Sequence, residues 1–329
     1  MARALAAQQT RIGNARQLSA ASAAGENSLV NSVWLFPGLG CRYVGMGHDI
    51  IGRFRAADRV IAAATGHLGY DLVAVCLEGS GRKHVPPRQE AQVIYTIECA
   101  YAAVLDELGF QAQAVCGHSL GSWAAGCVCG GYDFLTGLDL VTQVEVLQEE
   151  LIDGRGQAMG VIIGLPERDV EALLALWSET FLANWNSPGQ YVVGGTAAGV
   201  DRVLEEALAR GARQARRLPG ERAQHTPEQR PVASRLRVHL DSVGISRLHL
   251  PFISCQDGST IETAGGLRNF LAGFLAQPVR WETTVRALGE HWGREFVEVG
   301  PGNMLTRMLP FIDRASAIRP ASDLLEQKS

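Results

Sequence analysis

The chain has 329 residues, 47% apolar and 19% charged, a globular balance that excludes general disorder. A net charge of −4 and an isoelectric point near 6.1 exclude a global basic field for nucleic acid. No apolar run approaches the roughly 18–20 residues needed to span a bilayer, so no membrane association is expected.

Residues 1–30 are rich in Ala, Ser, Gln and Arg, with no acid before Glu26. A disordered leader is the preferred reading and a transit peptide the alternative. Val33–Phe36 reads as a buried strand running into Pro37-Gly38-Leu39-Gly40. Helices are expected near 50–64 and 91–108, then a strand over 112–116, a small-residue helix over 122–129 and a longer helix over 134–152. Alternating strands and helices imply a parallel sheet. Residues 157–218 read β-α-β-β-α-β, the ferredoxin-like order, with Pro188-Gly189 at the central turn. A helix near 228–243, a strand near 251–255, a helix near 263–275 and a last strand over 295–299 complete the pattern.

The seven cysteines are scattered and odd in number, which suits a reducing compartment and hence the cytoplasm. Cys127 and Cys129 form one C-x-C pair, but nothing completes a zinc set, so no metal is expected. Gly117-His118-Ser119-Leu120-Gly121 is a G-x-S-x-G motif between a strand and a helix. Such a turn is crowded, needs glycine neighbours, exposes the hydroxyl and puts helix N-terminal N–H groups beside it. Gly38-Leu39-Gly40 also follows a strand, but Tyr43 stands where a dinucleotide fingerprint needs Gly. A backbone donor aimed at the serine is the better functional reading of that loop. A nucleophilic serine needs a base. Of eight histidines, His118 adjoins the serine but points elsewhere at an elbow. From spacing alone, His225 reads as an ordinary satisfied or exposed histidine.

The motifs in chain order carry a resemblance. Phe36-Pro37-Gly38-Leu39-Gly40 with Val44-Gly45-Met46-Gly47, the G-H-S-L-G elbow, Ala183–Gln190, His225-Thr226-Pro227, Pro278–Trp281 and Glu298–Gly302 together resemble malonyl-CoA:acyl carrier protein transacylases and polyketide synthase acyltransferase domains. The resemblance implies an α/β fold: an α/β-hydrolase-like large subdomain (31–155 and 220–320), an inserted ferredoxin-like small subdomain (156–219) and a tail (321–329). It implies Ser119 as nucleophile and His225 as general base, oriented by a backbone carbonyl near Arg280. It implies oxyanion donors at the Leu39 and Leu120 N–H groups. Gln92, Gln143, Asn186 and Gln224 would meet substrate. The substrate would be an acyl-CoA or phosphopantetheine-linked acyl thioester, with no permanent cofactor. An acyl carrier protein is the expected partner, and a monomer the expected state.

The chain departs from the family at the acyl pocket. The family's carboxylate-binding Arg falls on Gln143, four before Leu147 on an apolar stripe of Leu140, Val144, Leu147 and Leu151. Gln cannot offer a charged two-pronged grip. The expectation is therefore an uncharged acyl group, hydrolysed or transferred, as in the family's acyl hydrolase-like branch. The alternatives are a malonyl transacylase with its anchor moved to Arg155 or Arg222, and a catalytically inactive carrier-binding module.

Overall fold

The computed structural model describes residues 32–77, 85–151 and 156–326. The expected leader and Arg155 lie outside the described residues. In chain order, β1 (Ser32–Phe36) precedes α1 (Arg55–Leu68), α2 (Leu72–Leu77) and α3 (Pro87–Glu107). Next come β2 (Ala112–Gly117), α4 (Gly121–Val128) and α5 (Phe134–Leu151). The middle section holds β3 (Gln157–Ile163), α6 (Glu167–Leu174), β4 (Thr180–Ser187), β5 (Gln190–Thr196), α7 (Ala197–Ala209) and β6 (Gln214–Arg217). Then follow α8 (Arg230–Ser242), β7 (Phe252–Ile253), β8 (Thr260–Ile261), α9 (Ala264–Gly273), β9 (Val279–Arg280) and α10 (Trp281–His291). The chain closes with β10 (Glu295–Glu298), α11 (Met304–Ile312), β11 (Ala317–Pro320) and α12 (Ala321–Glu326).

The larger sheet has the order β11-β10-β1-β2-β7-β8. Its first four pairings are parallel, and β1 is buried along its whole length, as a strand covered on both faces must be. The last pairing, β7 with β8, is antiparallel, so the sheet is mixed and not wholly parallel. The link between those strands is too short for a crossover. The Ser254 N–H closes it on the Ser259 carbonyl at 2.9 Å, leaving only a hairpin.

The second sheet has the order β6-β3-β5-β4-β9, and its first four strands pair antiparallel. Ile162 and Val193 of this sheet, with Val170 and Leu173 of α6 and Val203 of α7, form part of a core separate from the main one. The fifth strand comes from the closing part of the chain: β9 joins β4 in parallel, pairing Asn184 with Val279 and Trp185 with Arg280. The segment from β3 to β6 thus shares its sheet with a strand from the closing part of the chain. Residues 321–326, the start of the expected tail, are part of the fold. They form α12, and Ala321, Leu324 and Leu325 are buried in the main core.

Two loops leave this framework side by side. β1 and β2 are parallel neighbours with Phe36 opposite Gly117 in register. The Pro37–Gly40 loop and the Gly117–Gly121 turn therefore emerge together at the carboxyl ends of adjacent strands, where open α/β sheets place ligands.

Candidate active site

Steric crowding explains the glycines around Ser119. A Cβ on Gly121 would collide with the Phe36 carbonyl, and one on Gly117 would enter the first turn of α4. Ser119 itself has φ +55, in the left-handed region that costs a residue with a side chain about 1–2 kcal/mol. One other non-glycine residue among those described has positive φ: His225, at +58. These two strained residues meet. Ser119 Oγ lies 2.6 Å from His225 Nε2, across 106 residues of chain.

The rest of the imidazole fixes its tautomer. Nδ1 stands 3.2 Å from both the Phe274 and the Gln277 carbonyl oxygens. Carbonyls only accept, so Nδ1 carries the proton and Nε2 presents its lone pair to the serine hydroxyl. Burial pushes the His225 imidazolium down to about 4, outweighing the stabilisation of its charge by the Phe274 carbonyl. The ring is neutral near pH 7 and able to accept a proton. The orienting carbonyls are not at Arg280, contrary to expectation. Arg280 donates its N–H to the Cys255 carbonyl at 2.9 Å and stacks its guanidinium 4.2 Å from the Trp185 ring centroid.

His118 turns away from the serine, as expected at an elbow. Its Nε2 lies 3.0 Å from Asn186 Oδ1, and its ring packs edge-on against Trp281. Asn186, expected on the substrate side, is instead buried holding this histidine.

The Pro37–Gly40 loop packs directly on the elbow. A Cβ on Gly38 would strike the His118 carbonyl and stand 3.1 Å from the Leu120 nitrogen. The Gly38 backbone and the Leu120 nitrogen are therefore close neighbours. No acceptor among the described residues takes the Leu39 or the Leu120 N–H.

The amides expected to meet substrate are largely engaged with protein. Gln92 is buried, accepting from Tyr70 Oη at 3.1 Å and donating to Thr142 Oγ1 at 2.8 Å. Gln224 exchanges hydrogen bonds with Gln148 at 2.9 and 3.2 Å. Gln148 also donates to Gln229 Oε1 at 2.9 Å. Gln143 is half-buried on the flank of α5.

The sequence reading missed Glu145. It lies two residues from Gln143, about 200° around the helix, on the face shared with Leu138, Val141 and Gln148. Its side chain is 8% exposed and pairs at 2.8 Å with Arg222, itself 17% exposed. Arg222 Nη1 also donates to Gln148 Oε1 at 2.9 Å. Burial pushes the Glu145 carboxyl up, partly offset by the Arg222 charge. Arg222 thus stands three residues before His225 with its charge already matched.

The Arg-rich end of the insert is also mostly paired. Arg217 grips Asp201 through two nitrogens, Arg210 meets Glu206, and Arg202 stacks on Trp177.

Comparison with known proteins identifies relatives of this chain. The acyl transferase domain model matches residues 33–314. The malonyl CoA-acyl carrier protein transacylase of Synechocystis sp. is 31% identical over 277 residues, 84% of this chain and 92% of that protein. The solved structure of the malonyl CoA-acyl carrier protein transacylase from Coxiella burnetii superposes with a TM-score of 0.86 at 29% identity, covering 92% of this chain and 98% of that one. The malonyl-transacylase solved in complex with the type II polyketide synthase acyl-carrier protein AntF gives 0.85 at 27% identity, covering 91% of this chain and all of that one. With a match spanning the strand before the first loop through to α11, the chain belongs to the acyl transferase domain family and is an enzyme of the acyltransferase type.

Proposed function

We propose that the protein moves an acyl group from a thioester donor to the phosphopantetheine thiol of a carrier protein, through an ester on Ser119. The observation that carries this reading is the 2.6 Å contact between Ser119 Oγ and His225 Nε2, with Nδ1 already committed to two carbonyls. Ser119 attacks the thioester carbonyl as its proton passes to Nε2. The Leu39 and Leu120 N–H groups hold the oxyanion. Collapse expels the donor thiolate, which takes the proton from His225. The carrier thiol then gives its proton to Nε2 and attacks the ester; the tetrahedral intermediate collapses, and the departing Ser119 oxygen takes that proton back from His225. The pair works as a Ser-His dyad with no carboxylate partner, and no permanent cofactor enters the cycle.

Malonyl is the acyl group favoured by kinship, since the relatives compared above are named as malonyl transacylases. In this reading the donor is malonyl-CoA, and the malonyl carboxylate binds Arg222 in exchange for Glu145. A second reading, an uncharged acyl group, is favoured by one observation. The Arg222 guanidinium is already paired with Glu145, and Gln143 stands where the resemblance puts the family's cation. The same chemistry would end in hydrolysis if water replaced the carrier thiol. The transacylase relatives favour transfer.

The test offers acetyl-, malonyl- and longer acyl-thioesters to the protein, then weighs the protein and an added carrier by mass spectrometry. Malonyl appearing on Ser119 and then on the carrier is the expected result. Acetyl in preference to malonyl would establish the second reading, and free acid without carrier acylation would establish hydrolysis. No acyl-Ser119 with any donor would refute the proposal.

A further inference from the structure

The loop that supplies the Leu39 donor rests on a carboxyl that the dyad chemistry does not use. Glu98 lies in α3 within a stretch buried from Ala91 to Ala102. It is fully buried, and its Oε1 accepts the Gly38 N–H at 2.7 Å. Its Oε2 has no partner among the described residues. Burying a carboxyl half-satisfied costs several kcal/mol, and such a group in a native structure calls for an explanation.

The surroundings pin the carboxyl against the loop. A Cβ on Gly300 would come within 2.8 Å of Pro37 and 3.3 Å of Glu98 Cγ, so Pro37 and Glu98 are wedged against the Gly300 backbone. Glu298, two residues earlier, anchors the first turn of α11 through the Leu305 N–H at 2.9 Å and the Thr306 N–H at 2.8 Å. Loop, glutamate and closing block form one rigid stack behind the elbow.

We propose that Glu98 is a positioning residue for acyl transfer: by holding the Gly38 N–H it aims the next peptide, so that the Leu39 N–H faces the oxyanion formed at Ser119. This rests on the acyl-Ser119 reading above. The protonation state of Glu98 then matters. The titratable groups facing it are Glu298 from β10, Cys41 just after the loop and Cys99 from its own helix, and among the described residues no cation offsets them. Burial pushes Glu98 up to about 8, against the pull of the Gly38 N–H and with help from Glu298. Near pH 7 it is neutral. Above its pKa a negative charge develops directly behind the place where the oxyanion forms, and opposes it.

The experiment follows the acylation half-reaction, thiol release from an acyl thioester, so that no acceptor thiol titrates. Glu98→Ala should slow acylation about 10- to 100-fold at pH 7 with KM little changed, since a misaimed donor is a partial loss of one oxyanion contact. Glu98→Gln keeps the acceptor for Gly38 and should recover most of the lost rate. The wild-type rate should fall above about pH 8, whereas Glu98→Gln should stay level to about pH 9.5. An acylation rate within twofold of wild type in folded Glu98→Ala, or an identical alkaline fall in Glu98→Gln, would overturn the proposal. If Glu98→Ala fails to fold, the pH profile of Glu98→Gln decides alone. Ser119→Ala run alongside separates failure of this idea from failure of the acyl-serine reading.

Discussion

The Arg222–Glu145 pair makes acyl selectivity a question of which carboxylate the guanidinium holds. Glu145→Gln keeps the shape and one acceptor but removes the charge. The pair is mostly buried, with side chains 17% and 8% exposed and a 2.8 Å contact, so solvent screens it little. Breaking such a pair typically costs about 3–5 kcal/mol, because the remaining charge stays uncompensated. Arg222 keeps its bond to Gln148 and some solvent contact, so about 2 kcal/mol is a fair share for the missing anion. A malonyl carboxylate reaching the freed guanidinium would recover that amount, whereas an acetyl group would not. The kcat/KM ratio for malonyl over acetyl acylation of Ser119 should therefore rise roughly 30-fold in Glu145→Gln. The ratio is read by mass spectrometry of the acyl-enzyme in both proteins. A ratio within twofold of wild type, in a variant that melts as a folded protein, would show that Arg222 does not reach the acyl group.

Three further predictions follow from the same geometry. Ser119→Ala should form no acyl-enzyme, and His225→Ala should slow acylation by several orders of magnitude while His118→Ala does less harm, because nucleophile and base act as a unit; stopped-time mass spectra of each variant check this. Because burial holds His225 down to about 4, the base stays neutral through mildly acid pH, so the acid limb of the acylation rate should lie near 4 and not near 6.5; a limb at or above 6.5 would refute the neutral buried base. Gln143→Arg should raise malonyl acylation relative to acetyl. If Glu145→Gln does so and Gln143→Arg does not, the anchor is on the Arg222 side of α5.

What could be read from the sequence, and what could not, divides along a physical line. Gly117, Ser119 and Gly121 are legible because a crowded turn allows few residue types, and the type is the signal. The carbonyls that orient His225 belong to Phe274 and Gln277, and every residue has a carbonyl, so no side chain there announces the role. The expectation at Arg280 fell within the right stretch of chain for that reason, and on the wrong peptide. Gln92 and Asn186 fail differently. An amide near a site can bond substrate or scaffold, and only the distances to Thr142 and His118 decide for scaffold. Glu98 and Glu145 were hidden by their partners, which lie 60 and 77 residues away.

The strain at Ser119 and His225 shows how the legible and illegible parts combine. Each residue holds a left-handed backbone that costs about 1–2 kcal/mol and persists only where its surroundings over-determine it. For Ser119 that surrounding is the elbow itself, written in adjacent glycines. For His225 it is distant. Thr226 bonds back to the Ala223 carbonyl at 2.7 Å, and Gln229, held by Gln148 of α5, reaches the same carbonyl at 3.3 Å. The amide network beside Arg222 therefore also buttresses the turn that carries the base. A residue of that network can alter acyl selectivity and base geometry together, so Gln148→Ala should lower the acylation rate with every donor, malonyl and acetyl alike. Glu145→Gln, which leaves those amides in place, should change only the ratio between donors.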